Sequence, residues 1–447
     1  MTPNSVLFFE RYPFMGVELL DLITDHFSLL FYYDDASYRM LKELGYSVLT
    51  YSNSNFLRKI DSDKAVGLIL SDEQYINNII KKTHGKAIFF YMSREMSDLC
   101  KKQNLTALLP PYKLQEKLGN KLLLSNICKR TGVETHNSIN IRFSEGNAEK
   151  FYKYCQKKVG TPFVIQGGIG VSGEDTYKID SFRDFASLSK NIKGNFRVTK
   201  YLENVIPLSV HICITKKEIL YEGPYIQIIG FRELANSFFQ FSGNDTNQTM
   251  LSEELKRKVK FQSLKLATYA RDQGYRGILG IDFIWSKYEK RVLVQEINSR
   301  LVGLTRLLTG IQKEQNITPH LIKHINEFLP MQIPKVKKRL NLYAKNYSQL
   351  YIANNTDGKV KVRRYLMPGI YKVKYNQLIR TKDSLFLKDM ERDEVLINFS
   401  AYKNSLLIPD AIMAKIILKK SVLKRNSFHL SEDALKLISL IRYYIVS

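Results

Sequence analysis

The sequence predicts a chain that opens as an α/β unit and continues as α+β, and three observations carry that prediction. Short apolar runs alternate with helix-like segments through residues 1–112. Between residues 113 and 328, strands and helices follow in less regular order around a glycine-rich loop and an acidic hairpin. A basic, strand-bearing segment occupies residues 335–447. At 447 residues the chain has room for two to four domains of about 100–200 residues. Its 44% hydrophobic and 25% charged residues exclude a disordered tail, a collagen-like rod or a small stapled scaffold. The 68 Lys+Arg against 43 Asp+Glu give a formal charge of +25. That excess fits a nucleic-acid or acidic partner, and it equally fits a biased composition.

Taken in order, residues 6–9, 28–33, 47–51, 66–70 and 87–91 read as buried strands of a small open sheet. No G-x-G-x-x-G follows any of them, so no dinucleotide fingerprint is present. The pair Pro110-Pro111 marks a boundary, because residues before proline are pushed out of helix. A helix over 113–131 then precedes strands at 162–166, 175–179, 197–202 and 209–215. Ser252, with Glu253 and Glu254 behind it, caps a long helix over 252–273. Strands at 277–285 and 291–297 flank the polar turn 286–290, and 330–334 reads as a linker. From residue 335 the chain holds 23 Lys+Arg and 9 Asp+Glu, a net +14. Strands at 360–367 and 370–374 are expected there, and Ser431 caps a final helix. The cysteines 100, 128, 155 and 213 form no C-x-x-C pair, which points to buried free thiols rather than a zinc site or a disulfide framework.

Two stretches carry chemistry. In GILGIDFIWSKYEKRVLVQEINSR, a turn centred on Glu289 puts Asp282 opposite Glu296, with Asn298 on the same face as Glu296. Carboxylates converging in an apolar setting call for a partner, and a hard cation bridging phosphate oxygens would be one. Ordinary strand carboxylates paired with Arg276 or Arg300 are the alternative. The second stretch, Gly167 to Gly173, has four glycines in seven residues. Such a loop lets backbone N–H groups approach phosphate oxygens, although a hairpin loop without a ligand has the same composition.

Joined in order, these features resemble the ATP-grasp fold. In that family a basic residue opens the nucleotide module and a second lysine ends a strand before a glycine loop. A hinge strand holds adenine, and an Asp…Glu-x-Asn set binds two Mg²⁺ ions. The resemblance places Lys121, in GNKLLLSNICKRTGVETHNS, at the first basic position. It makes GGIGVSGEDT the phosphate loop, with Gly168, Gly170, Ser172 and Gly173 at the nucleotide. It puts backbone groups of Lys200, Tyr201 and Leu202, in VTKYLENVIPLSV, at the adenine, and Asp282, Glu296 and Asn298 on the metal. Arg300 falls where relatives use an arginine near the transferred phosphate or the substrate. Arg232, in IIGFRELANSFFQFSG, falls in a flap over the site. The rings Phe231, Phe238, Phe239 and Phe241 beside it are expected in the core, with substrate contact as the alternative. Two departures stand out. The second lysine falls on Gln166, which leaves Lys178 as a substitute, and the ribose-binding glutamate is missing near Pro207 and Leu208.

The fold implied is an ATP-grasp module at 113–328, a small pre-ATP-grasp α/β domain at 1–112 and a basic α+β domain at 335–447. The activity implied is an ADP-forming carboxylate–amine ligase working through an acyl phosphate. The look-alikes are peptide ligases of natural-product biosynthesis, of the pheganomycin type, and the butirosin type that aminoacylates a carrier protein. ATP and two Mg²⁺ ions are the implied cofactors, with Mn²⁺ as a substitute. The partners implied are a small-molecule or amino-acid carboxylate and an amine or peptide acceptor, with an acidic carrier protein as a further candidate. Neither nucleic acid nor a membrane is expected as a partner, and a homodimer is one option for assembly. The competing reading is a catalytically weak ATP-grasp protein whose basic segment, including Lys335–Arg339, grips nucleic acid or an acidic protein. Without a signal peptide or an apolar run of about 18 residues, the chain reads as cytoplasmic.

Overall fold

A computed structural model of the chain describes residues 5–11, 13–23, 27–52, 62–83, 85–144, 146–169, 175–330 and 346–446. The first sheet is five-stranded and parallel, in the order Val48–Ser52, Phe27–Tyr33, Val6–Glu10, Lys86–Ile88, Thr106–Ala107. Its central strands are near-continuous apolar runs because both faces are covered. Residues 66–70, expected as a strand, lie instead in the helix Ser62–Ser71. A short apolar run does not reveal its period. Here Ala65, Val66, Ile69 and Leu70 are buried while Leu68 is exposed, which is helical spacing.

The predicted helix over 113–131 is two helices, Tyr112–Gly119 and Leu124–Thr131. Between them, the Asn120 side chain accepts from the Leu122 N–H, and the Lys121 N–H donates to the Gly168 carbonyl at 2.8 Å. The break is what holds Lys121 beside the glycine loop. A four-stranded antiparallel sheet follows, ordered Ser138–Phe143, Gly194–Lys200, Phe163–Gly167, Thr176–Ile179.

A ten-stranded antiparallel sheet carries the rest. It runs Arg291–Asn298, Gly277–Ser286, Val205–Ile214, Ile219–Ile229, Phe241–Asp245, Ser348–Ala353, Ile412–Leu418, Glu394–Ser400, Gly369–Lys374, Gln377–Lys382. The strands after residue 335 therefore extend the sheet that bears the acidic hairpin, joined through Gly243 paired with Leu350. The predicted strand over 360–367 shrinks to Val360–Lys361, paired with Leu406–Leu407. The helix Glu253–Asp272 is capped by Ser252, whose hydroxyl accepts from the Leu255 N–H. Ser431 caps Glu432–Val446 in the same way, accepting from the Ala434 N–H. All four cysteines are free and buried. Among the described residues, no helix is long and apolar enough to cross a membrane. The basic run Lys335–Arg339 lies outside the described residues.

Candidate functional site

The acidic hairpin positions the site. Gly277–Ser286 pairs antiparallel with Arg291–Asn298, and Asp282 stands opposite Glu296. The pairing nearer the turn, Phe283 with Val294 and Ser286 with Arg291, would not by itself bring those two together. A β-bulge at Gln295 supplies the extra residue that does. Asp282 and Glu296 thus face each other as the spacing predicts, across a turn offset from the one centred on Glu289.

Asp282 is 9% exposed, Lys121 8%. The Lys121 ammonium lies 3.0 Å from a Glu296 carboxylate oxygen. The Asn298 NH₂ donates to Asp282 at 2.8 Å and to Glu296 at 3.1 Å, while its carbonyl oxygen accepts from the Arg300 guanidinium at 2.9 Å. Burial by itself pushes Glu296 upward, but the Lys121 charge and the hydrogen bonds around it hold the carboxyl well below its usual range. Burial and the Glu296 charge both push Asp282 the other way, above its usual carboxylate range. Ser209 on the adjacent strand and Gln227 on the strand beyond it also hydrogen-bond Asp282. Arg276, one of the alternative partners, bonds the carbonyls of Arg271 and Tyr275 instead.

This donor set fits a hard divalent cation. Two crowded, buried carboxylates gain a partner when such an ion binds between them, and turning over the Asn298 amide would offer a third oxygen. Among the described residues no group of three His, Cys, Asp or Glu side chains could hold a metal. An ion here would draw the remainder of its shell from Asn298, water or substrate oxygens, as Mg²⁺ commonly does.

A cavity of about 1300 Å³ connects these groups. Lys121, Gln166, Asp282, Glu296, Asn298 and Arg300 line it, together with Lys200, Tyr201 and Leu202. The Tyr201 N–H donates to the Pro162 carbonyl at 3.0 Å, which fixes the end of Gly194–Lys200 against Phe163–Gly167. Arg232 also lines the cavity, its guanidinium bonded to the Asn236 carbonyl and side chain. Phe231, Phe238, Phe239 and Phe241 form cavity wall, and Phe238 is 46% exposed. Phe231 and Phe241 also pack against the hydrophobic core, as expected, so these two rings are shared between core and cavity wall. Lys178, the expected substitute for the missing lysine, is not among the cavity-lining residues; it pairs with Asp180 and lies 4.6 Å from the centre of the Tyr201 ring. Gly168 packs against Asn120 and Leu122. The other loop positions, Gly170, Ser172 and Gly173, lie outside the described residues.

Gln166, where the resemblance expects a lysine, has a physical explanation. It pairs across the sheet with Arg197, which is fully buried. The Gln166 carbonyl oxygen accepts from Arg197 and from Gln295, each at 3.3 Å, and Arg197 also donates to the Gln295 main-chain carbonyl at 3.0 Å. A lysine opposite Arg197 would set two cations side by side in a dry strand pair. The bulged Gln295 thus ties the four-stranded sheet to the hairpin. Burial, helped by Arg197, pulls the nearby His136 down to about 3, so this cavity-lining imidazole is neutral.

Glu10, Arg11, Tyr351 and Lys415, which the sequence does not mark as site residues, also line the cavity. They come from the first sheet and the basic segment, and no local pattern joins positions that far apart. Burial of charged residues in apolar strands, as in IMAKIIL around Lys415, was the one available signal.

No family model matches the chain. One curated relative, the mitochondrial methylcrotonoyl-CoA carboxylase subunit alpha of Dictyostelium discoideum, is 22% identical over 379 residues. That match covers 80% of this chain and 51% of the relative, so the chain spans about half the length of the curated relative it matches. Among solved structures, the biotin carboxylase domain of Hydrogenobacter thermophilus 2-oxoglutarate carboxylase aligns with a TM-score of 0.65 at 14% identity, over 94% of this chain and 86% of that one. Campylobacter jejuni biotin carboxylase aligns at 0.62 and 14%, over 93% and 87%. N5-carboxyaminoimidazole synthase from Aspergillus clavatus aligns at 0.58 and 12%, over 99% and 100%. At such identities the likeness establishes the fold, which is the ATP-grasp fold.

Proposed function

We propose that this protein is an ATP- and Mg²⁺-dependent, ADP-forming ligase that activates a carboxylate as an acyl phosphate and passes the acyl group to an amine. The observation that carries this reading is the convergence of Lys121, Asp282, Glu296, Asn298 and Arg300 in one cavity with the Lys200–Leu202 segment. Support comes also from the Hydrogenobacter thermophilus structure, which holds MgADP, ADP and bicarbonate.

In this reading the Lys200–Leu202 backbone meets the adenine, and Lys121 shares its charge between Glu296 and the phosphate oxygens. Asp282, Glu296 and Asn298 would hold Mg²⁺, which supplies charge neutralisation on the transferred phosphate. Arg197 and Gln295 keep Gln166 oriented beside them. The carboxylate oxygen attacks the terminal phosphorus, ADP leaves, and Arg300 offsets the negative charge gathered on the acyl phosphate. The amine then attacks the acyl carbon, phosphate departs, and the amine proton passes to solvent or phosphate. Most of the rate would come from positioning and fixed charge.

The likeness to two carboxylases favours bicarbonate as the acid, whereas the sequence resemblance favours an amino acid or peptide in natural-product biosynthesis. ADP release separates the two. It is measured with bicarbonate alone and across a panel of organic acids paired with amines, peptides and a carrier protein, with products identified by mass. Mg²⁺-dependent ADP release with any acid, lost in Glu296→Gln, supports the ligase. No ADP release with any of them, or full release in Glu296→Gln, counts against it.

A further inference from the structure

The cavity is larger than the roughly 300–1,000 Å³ typical of a single small-molecule site, at about 1300 Å³. Part of its wall uses none of the residues assigned to nucleotide or metal. Lys415, 7% exposed, reaches this wall from the strand Ile412–Leu418. Its ammonium lies 4.2 Å from the ring centres of both Phe14 and Tyr351. Phe241 meets Tyr351 edge-on at 5.5 Å. A Cβ on Gly303 would come within 3.1 Å of the Tyr351 hydroxyl and 3.2 Å of Phe241. The aromatic box therefore abuts the segment that follows Arg300, whose guanidinium lies over Phe90 at 4.9 Å. Arg11 and Glu10 complete the wall, and Glu10 is committed to the Phe14 and Gly16 N–H groups.

We propose that this wall binds the ligase's organic co-substrate, an anion whose carboxylate or phosphate meets Lys415 and Arg11 while a flat apolar body lies against Phe14, Phe241 and Tyr351. The proposal rests on the ligase reading for what is done to the ligand, but not for its binding. Cations outnumber acids at this wall, and the rings exclude the water that would otherwise screen an incoming charge. Aromatic faces reward a planar body that can stack. Burial, opposed by Glu10, draws the Lys415 ammonium down to about 7, and burial raises the facing Glu10 to about 8.

Equilibrium binding to the full-length protein tests this with matched pairs: cinnamate against cinnamamide, N-acetylphenylalanine against its amide, and phenyl phosphate against phenol. ATP binding is measured on the same preparations. At least one anion should bind ten-fold or more tightly than its uncharged counterpart, and the pair that responds distinguishes carboxylate from phosphate. Lys415→Met should remove that preference while ATP affinity stays within two-fold. Arg11→Gln, a partly exposed position, should weaken the preference should the buried variant misfold. Equal binding of anions and neutral counterparts, no binding by any member, or a preference surviving both variants overturns the proposal. Absence of ATP binding together with a clear anion preference would instead overturn the ligase reading and leave the anion site standing.

Discussion

At Glu296 the penalty of burial is met by the Lys121 ammonium 3.0 Å away, so the two side chains depend on each other. Glu296→Gln keeps the shape and one acceptor but removes the charge that balances Lys121. Mg²⁺-dependent ADP release should fall about 100-fold or more, with an unchanged far-ultraviolet circular dichroism spectrum as the check that the fold persists. Gln166 makes a sharper test, because the resemblance alone suggests that a lysine there would improve the site. Arg197 stands directly opposite and fully buried, so Gln166→Lys should destabilise by roughly 1 kcal/mol or more. Thermal unfolding would read this as a lowered Tm, without tighter ATP binding. A raised Tm would mean that Arg197 is not the reason for the glutamine.

Among the elements, what the sequence revealed depended on how local the cause was. Caps at Ser252 and Ser431 are set by residues three apart and were legible. So was the juxtaposition of Asp282 and Glu296, although the bulge that produces it was not, since a two-residue period carries no mark of one extra residue. The strand Ile219–Ile229 and the junction between Phe241–Asp245 and Ser348–Ala353 were not foreseen. The junction's register is decided by pairing across about a hundred residues of chain, whereas Ile219–Ile229 pairs with the preceding Val205–Ile214. That junction has one narrow point. Gly243 has φ +133°, and a Cβ there would lie 1.9 Å from the Gln349 carbonyl oxygen. Gly243→Ala should cost roughly 2–4 kcal/mol through combined backbone strain and overlap. The measurement is the denaturation midpoint, expected to fall with little change in slope. An alanine protein as stable as the original would mean that the two strands can separate without consequence.

For the whole molecule, Glu18 is the tie between distant parts. It accepts from Arg306 and Lys313 on Leu304–Glu314 and from the Leu387 N–H, with Arg306 and Glu18 both fully buried. Burial raises the Glu18 pKa, but Arg306 and Lys313 overcome it and bring the carboxyl down to about 2 from an ordinary 4.5. Because the folded value is the lower one, this stabilisation is complete above about pH 4.5 and is lost as the pH falls toward 2. Glu18→Gln should lose roughly 3–5 kcal/mol at neutral pH and show a flatter loss of stability over that acidic window. The same connectivity argues against a detachable basic segment. Truncation after residue 330 would strip five strands from the ten-stranded sheet and bare the edge at Phe241–Asp245, so the shortened chain should be insoluble. Of the formal +25, +14 falls on residues 335–447, which contribute Tyr351 and Lys415 to the cavity assigned above to ATP. The most direct test of that assignment is calorimetric titration of ATP into the full-length protein with and without Mg²⁺, repeated on Asp282→Asn. The account predicts binding that Mg²⁺ tightens at least ten-fold and that Asp282→Asn reduces to the metal-free level. Equal ATP affinity with and without the ion, or an unchanged Mg²⁺ effect in Asp282→Asn, would contradict it.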